Sequence, residues 1–237
     1  MESIDKVKGI YDKKMEEESK PQVSEAVVRR LPRYHRYLGE LLRIGKLRIS
    51  SGELSRLMNV TASQIRQDFN CFGGFGQQGY GYNVKYLYKK ISEILGVEEG
   101  YRAVIVGAGN LGRALAATHM FERRGVKTIA LFDNDPEIIG TEFNGLSVYD
   151  VKLLGTFCRE NNIHIGVLTV PKESALECAE VMAEAGVIGL WNFANMELSL
   201  ERGESKYTDV IVEKVHMGDS LMTLCFAMKS RGEDQSE

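Results

Sequence analysis

The chain is short of cysteine and has no long apolar run, and each shortage removes a class of protein. Cys71, Cys158, Cys178 and Cys225 are the four cysteines of 237 residues, and they stand far apart without the C-x-x-C spacing of a zinc site or redox motif. They are expected to be reduced thiols packed as small buried hydrophobes, and no metal site is expected. No uninterrupted apolar run approaches the ~18 residues of a spanning helix, and residues 1–20 lack the apolar core of a signal peptide. The expectation is a cytoplasmic protein with no membrane partner. Histidine is scarce too. His35 lies in a basic helical stretch, and His119 and His164 have no recognisable paired acid or base, so no catalytic residue is expected; His216 stands near Asp219.

What is present is 43% hydrophobic residues, enough to bury one large or two modest cores. Charge is divided unevenly along the chain. Residues 29–90 hold twelve Lys or Arg against Glu40, Glu53 and Asp68, a balance of +9, while the remainder has 18 basic and 30 acidic residues and carries −12. A basic segment beside an acidic one is the electrostatic footprint of a polyanion partner, unless it is only a solvated charged surface.

Beyond the basic segment lies Val106-Gly107-Ala108-Gly109-Asn110-Leu111-Gly112, a G-x-G-x-x-G run. The apolar stretch 103–106 reads as a buried parallel strand, and 110–124 carries Leu111, Leu115, Thr118 and Phe121 at helical spacing. A second strand, 127–132, ends in Asp133. In such a unit Gly107 makes the turn, Gly109 lets the backbone approach a pyrophosphate, and Gly112 packs helix on strand. Asp133 would accept hydrogen bonds from both ribose hydroxyls and repel a 2′-phosphate, which favours NAD(H) over NADP(H).

The basic segment contains three helical patterns. Pro32 opens the first, with Tyr34, Leu38, Leu41 and Leu42 on one face and a stop at Gly45. Ser50 and Glu53 form a capping box for the second, with Leu54, Leu57 and Met58 inward. Asn59-Val60 turns the chain. Thr61 and Gln64 form another capping box for the third, with Ala62, Ile65 and Phe69 inward. Ser63, Gln64, Arg66 and Gln67 then face outward, and these side chains suit a major-groove reader. Residues 71–82 alternate five glycines with aromatics and amides, as a β-hairpin wing would; a nucleotide-gripping loop is the competing reading. Gln77, Gln78, Tyr80 and Tyr82 could bond a sugar-phosphate backbone there. Asn83 caps a further helix with Lys85, Lys89 and Lys90 exposed, and Gly96 with Glu98-Glu99-Gly100 forms a hinge.

Four segments together carry a resemblance: Arg30-Leu31-Pro32-Arg33-Tyr34, Val60 through Phe69, the Phe-Gly wing, and Val106 through Gly112. In this order they resemble the Rex family of redox-sensing transcriptional repressors, and the likeness runs over 23–229. The resemblance implies an α/β fold with an N-terminal winged-helix domain, a Rossmann-like doubly wound parallel sheet domain and a C-terminal helix exchanged between subunits. The implied divisions are 1–22, a charged flexible tail; 23–96, the winged helix; 97–215, the NAD(H)-binding domain; and 216–237, the dimerisation helix and tail. It further implies a homodimer on palindromic double-stranded operator DNA, with NADH as a sensed ligand that causes release. Arg33, Arg48, Thr61, Ser63, Gln64, Arg66, Gln67, Gln77, Gln78 and Tyr80 are then the DNA-binding candidates. Many members of the family have lysine at the position of Gln67, and an acid then an aromatic at those of His216 and Met217.

The resemblance also sets the turn Thr169-Val170-Pro171 near the nicotinamide, although an ordinary βα loop would read the same. Asn192 and Phe193 are second-rank candidates at the end of the next strand, and Trp191 belongs to the core. The helix expected over 218–230 is too apolar for a solvated end, so it needs a partner surface, in a second copy or in its own chain. A small NAD-dependent dehydrogenase and an NAD(H)-gated scaffold are the other functions weighed.

Overall fold

The computed structural model describes residues 24–72, 76–77, 80–198 and 209–233, so the tail expected at 1–22 and the candidate Gln78 lie outside the described residues. The chain divides into two compact units between Val97 and Glu98, close to Gly96 and Gly100, both of which have positive φ.

In the first unit a short helix α1 (Glu25–Val28) precedes α2 (Leu31–Arg43). Pro32 lies in the first turn of α2, where a missing N–H is harmless, and Leu31, Tyr34, Leu38 and Leu41 recur on the buried face. Ser50 and Glu53 make the expected capping box on α3 (Ser51–Met58), whose chain reverses at Asn59 in the left-handed region. Thr61 caps α4 (Ala62–Asn70) through the Gln64 N–H. The second half of that capping box does not form, because the Gln64 amide bonds Asp68 instead. Leu57, expected inward, is 48% exposed: the three-residue step from Leu54 carries it off the face that Leu54 and Met58 share. A small antiparallel sheet of β1 (Arg48–Ile49), β2 (Gly76–Gln77) and β3 (Gly81–Asn83), ordered β1-β3-β2, pairs β2 with β3 as the wing. Asn83 caps α5 (Val84–Ile94) as expected. Phe69, fully buried, meets Tyr34 and Tyr82 edge-on at 4.9 and 5.0 Å, so helix and wing share one core.

The second unit is a seven-stranded sheet of β4 (Tyr101–Val106), β5 (Val126–Asp133), β6 (Glu142–Phe143), β7 (Leu146–Asp150), β8 (Ile165–Leu168), β9 (Gly189–Asn192) and β10 (Ile211–Lys214). The order is β10-β9-β8-β4-β5-β7-β6, parallel apart from the edge hairpin of β6. Alternation sends Val104 and Val106 to one face, against Leu154 of α7 (Leu154–Glu160) and Ala175, Ala179 and Met182 of α8 (Lys172–Glu184). Ile105 faces the other way with Leu131, Val167 and Phe121, and Trp191 packs there as a core residue.

Further expectations change. The helix that opens at Asn110 is α6 (Asn110–Ala116) and does not run to 124. The Thr118 hydroxyl donates to the Leu115 carbonyl at 2.8 Å, a local bond that competes with the helical ladder, and a 3-10 turn (Glu122–Arg124) leads into β5. Cys158 and Cys178 are buried, but Cys71 is half-buried and Cys225 exposed. Cys225 lies on α9 (Met217–Glu233), where Leu221, Met222, Phe226 and Met228 are all more than 60% exposed; these apolar side chains are not buried among the described residues. Among the described residues no helix is long and apolar enough to cross a membrane, and no cluster of His, Cys, Asp or Glu could hold a metal ion.

Candidate functional site

Strand order reverses between β4 and β8, and at the carboxyl ends of these strands a cavity of about 440 Å³ opens. Open parallel sheets collect ligands at such a point, because neighbouring connections leave in opposite directions. Val106, Gly107, Gly109, Asp133, Thr169, Val170 and Pro171 line the cavity, so the glycine turn, the acidic strand end and the βα turn converge as expected. Gly107 has φ +101, and a Cβ there would lie 2.6 Å from the Thr169 carbonyl oxygen. The Thr169 hydroxyl donates to the carbonyls of Val106 and Gly107 at 3.0 and 2.8 Å, closing the turn. At Gly109, by contrast, a Cβ would meet nothing within 4 Å: the space beside it is open, which fits a group lying against bare backbone.

Asp133 Oδ2 accepts the Ala108 N–H at 2.6 Å, and Oδ1 accepts those of Asn134 and Asp135. A carboxylate has about four lone-pair sites, so three bonds fix its orientation and leave room for a hydroxyl donor. Asn110 and Leu111 form the first turn of α6, with Gly112 buried beneath them. Asn192 and Phe193 do not line this cavity. Asn192 is buried, with its side chain accepting from Ala194 N and donating to the Met196 carbonyl, and Phe193 packs on Trp191 on the opposite sheet face. Sequence reasoning missed the far wall, made by Val151, Lys152 and Leu154 and by Ser174, Glu177, Cys178 and Val181 of α8. The last four follow i, i+3, i+4, i+7 spacing, a one-face pattern visible in the sequence but ambiguous without knowing what that face meets. Burial pushes the Cys178 and Cys158 thiols up to about 11, so both stay protonated near neutrality. His119, read as unpaired, has Glu122 at 3.1 Å, but neither residue lines the cavity.

The other candidate surface is the helix-turn-helix face. Ser63, Arg66 and Gln67 are exposed on α4. Arg66 donates to Ser51 Oγ at 3.1 Å, and Arg33 donates to the Met58 carbonyl, so Arg33 serves the end of α3. On the wing the Arg48 guanidinium lies 6.0 Å from the Tyr80 ring centre and donates to the Tyr80 carbonyl at 3.3 Å, with Tyr80 itself 70% exposed. Gln77 lies in β2. An exposed helix face and an exposed cation-aromatic pair on a hairpin suit contact with a nucleic-acid backbone and bases.

Residues 22–70 match a family model described as "Putative DNA-binding protein N-terminus", and residues 98–196 match one described as "CoA binding domain". A protein of Clostridium tetani (strain Massachusetts / E88) described as redox-sensing transcriptional repressor Rex is 45% identical over 216 residues, covering 91% of this chain and 100% of the relative. The solved structure of RSP in complex with β-NAD+ and operator DNA has 46% identity and a TM-score of 0.80, covering 90% of this chain and 96% of its own. RSP in complex with β-NADH matches at 43% and 0.80, covering 91% and 98%. With such identity over nine-tenths of its length, the chain belongs to the Rex family of redox-sensing transcriptional repressors.

Proposed function

We propose that this chain is a cytoplasmic, homodimeric repressor that holds palindromic operator DNA through α4 and its wing and lets go when NADH occupies the cleft at the β4/β8 switch point. The observation that carries the reading is the convergence of Gly107, Gly109, Asp133 and Thr169 on one cavity, in a chain whose other unit is a winged helix. Open space at Gly109 suits a pyrophosphate, and Asp133 suits a ribose without a 2′-phosphate. A reduced nicotinamide ring is uncharged and is placed in an apolar closed interface at lower desolvation cost than the oxidised cation, which gives the cleft a basis for telling the two apart. NAD(H) is on this reading sensed rather than turned over. Protonation of the buried Cys158 and Cys178 thiols favours a redox signal read from the nucleotide over one read from these cysteines.

Exposed apolar residues on α9 support dimerisation through that helix, since a second copy would cover them. DNA and NADH are then linked ligands of two domain arrangements, each lowering affinity for the other by the same factor. Fluorescence anisotropy of a labelled palindromic operator, titrated in buffer, in NAD+ and in NADH, tests the proposal. Release by NADH alone is expected, with affinity falling as salt rises at a log-log slope of about −0.9 per phosphate contact. Equal affinity with and without NADH would remove the sensor, and steady oxidation of NADH with any substrate would restore the dehydrogenase reading.

A further inference from the structure

α4 carries an acid on its buried side that neither the cleft nor the exposed helix face accounts for. Asp68 is 1% exposed. Its Oδ2 accepts from Arg30 Nε and from the Tyr34 hydroxyl, both at 2.7 Å; its Oδ1 accepts from Arg30 Nη2 at 2.7 Å and from Gln64 Nε2 at 2.8 Å. Burial alone would raise this carboxyl, but the hydrogen bonds from Arg30, Tyr34 and Gln64 outweigh it and hold the group below the usual range. Asp68 is therefore an anion at neutral pH, and an ionised carboxylate only accepts. Of the two ends of the Gln64 amide, only the NH2 can face it; turned over, the amide would set oxygen against oxygen. The Arg30 fork, bidentate on the carboxylate, keeps Asp68 itself from rotating. Gln64 is left with its carbonyl oxygen and one N–H to offer beyond the helix.

We propose that Asp68 is a positioning residue for sequence reading: by holding Gln64 in one amide orientation it makes α4 select a base whose major-groove edge sets a donor beside an acceptor, as adenine N6 and N7 do. This rests on α4 being the recognition helix. A brace that merely stiffened the fold would change stability and affinity for every duplex alike, whereas a positioning residue changes which base is preferred.

The test uses the full chain and a duplex selected by it from a randomised pool, with every base pair of that duplex then substituted in turn. Asp68→Asn removes the charge and allows either amide orientation, and is expected to lose about tenfold discrimination at one base pair per half-site, the scale of one bidentate contact. Gln64→Ala should lose the same preference, and the double variant no more than either. Tyr34→Phe, which takes a bond from Asp68 without touching Gln64, should lower Tm and leave the preference intact. A uniform loss across all duplexes in Asp68→Asn, or an undiminished effect of that change in the Gln64→Ala background, would overturn the proposal. Should Asp68→Asn fail to fold, NMR of the unaltered chain decides: the Gln64 side-chain amide proton held by Asp68 should exchange with water more slowly than those of exposed Gln67, and equal rates would overturn the clamp. Selection of no sequence at all would overturn α4 as a reader, and the amide measurement, needing no DNA, tells the two failures apart.

Discussion

Gly109 and Gly112 stand three residues apart and are glycines for different reasons. A Cβ on Gly112 would clash with the Gly107 carbonyl oxygen, far inside contact distance, whereas one on Gly109 meets nothing. Gly112→Ala should therefore lower stability by about 1–3 kcal/mol through overpacking, seen as a drop in Tm. Gly109→Val should leave Tm unchanged and abolish NADH binding in calorimetry, because its side chain fills the space the nucleotide backbone needs. If both variants lose Tm equally, the open space at Gly109 has been misread. The motif alone could not separate these roles, since both positions are the same letter in one pattern.

At the scale of elements, caps were legible and partners were not. Ser50-x-x-Glu53 makes its box, and Thr61 caps α4, so Thr61→Ala should cost about 1 kcal/mol in urea unfolding. Glu53 adds a pH signature. The Lys46 ammonium and then the Ser50 N–H and hydroxyl bring its carboxyl down to about 2, below an ordinary value of about 4.3. A depressed carboxyl stabilises the fold above the ordinary value and loses that contribution as pH falls toward 2. Acid unfolding followed by circular dichroism should show this component in the native chain and a flatter profile in Glu53→Gln. An identical profile would mean that the pair is screened by solvent. Where the sequence misled, local bonds are found: Thr118 bonds back to the Leu115 carbonyl just past the end of α6, and the Gln64 amide bonds Asp68 in place of the cap. Periodicity counts apolar positions, and it does not register which polar group a hydroxyl or amide will select.

At the scale of the whole molecule, α9 is an apolar helix that the other described residues do not cover. Phe226 and Met222 on α9 are each 72% exposed. Replacing Leu221 and Phe226 with Asp should shift sedimentation from dimer to monomer while each unit keeps its Tm, and should weaken binding to a palindromic operator far more than binding to a single half-site. A dimer that survives both changes would place the interface elsewhere.

The sequence by itself determined the order of parts: a basic helical segment with a glycine-rich hairpin, a G-x-G-x-x-G turn between strand and helix, an acid one strand later, and an apolar last helix. These are local patterns, set by the periods of 2 and 3.6 and by the φ freedom of glycine, so they can be read along the chain. Only the tertiary structure decided that Thr169 closes the Gly107 turn, that α8 walls the cleft, that Asn192 is spent on its own loop, and that Asp68 gathers Arg30, Tyr34 and Gln64. Most of these bring together residues dozens of positions apart, through hydrogen bonds and sheet crossovers that depend on which faces meet, and no periodicity in the chain encodes that choice.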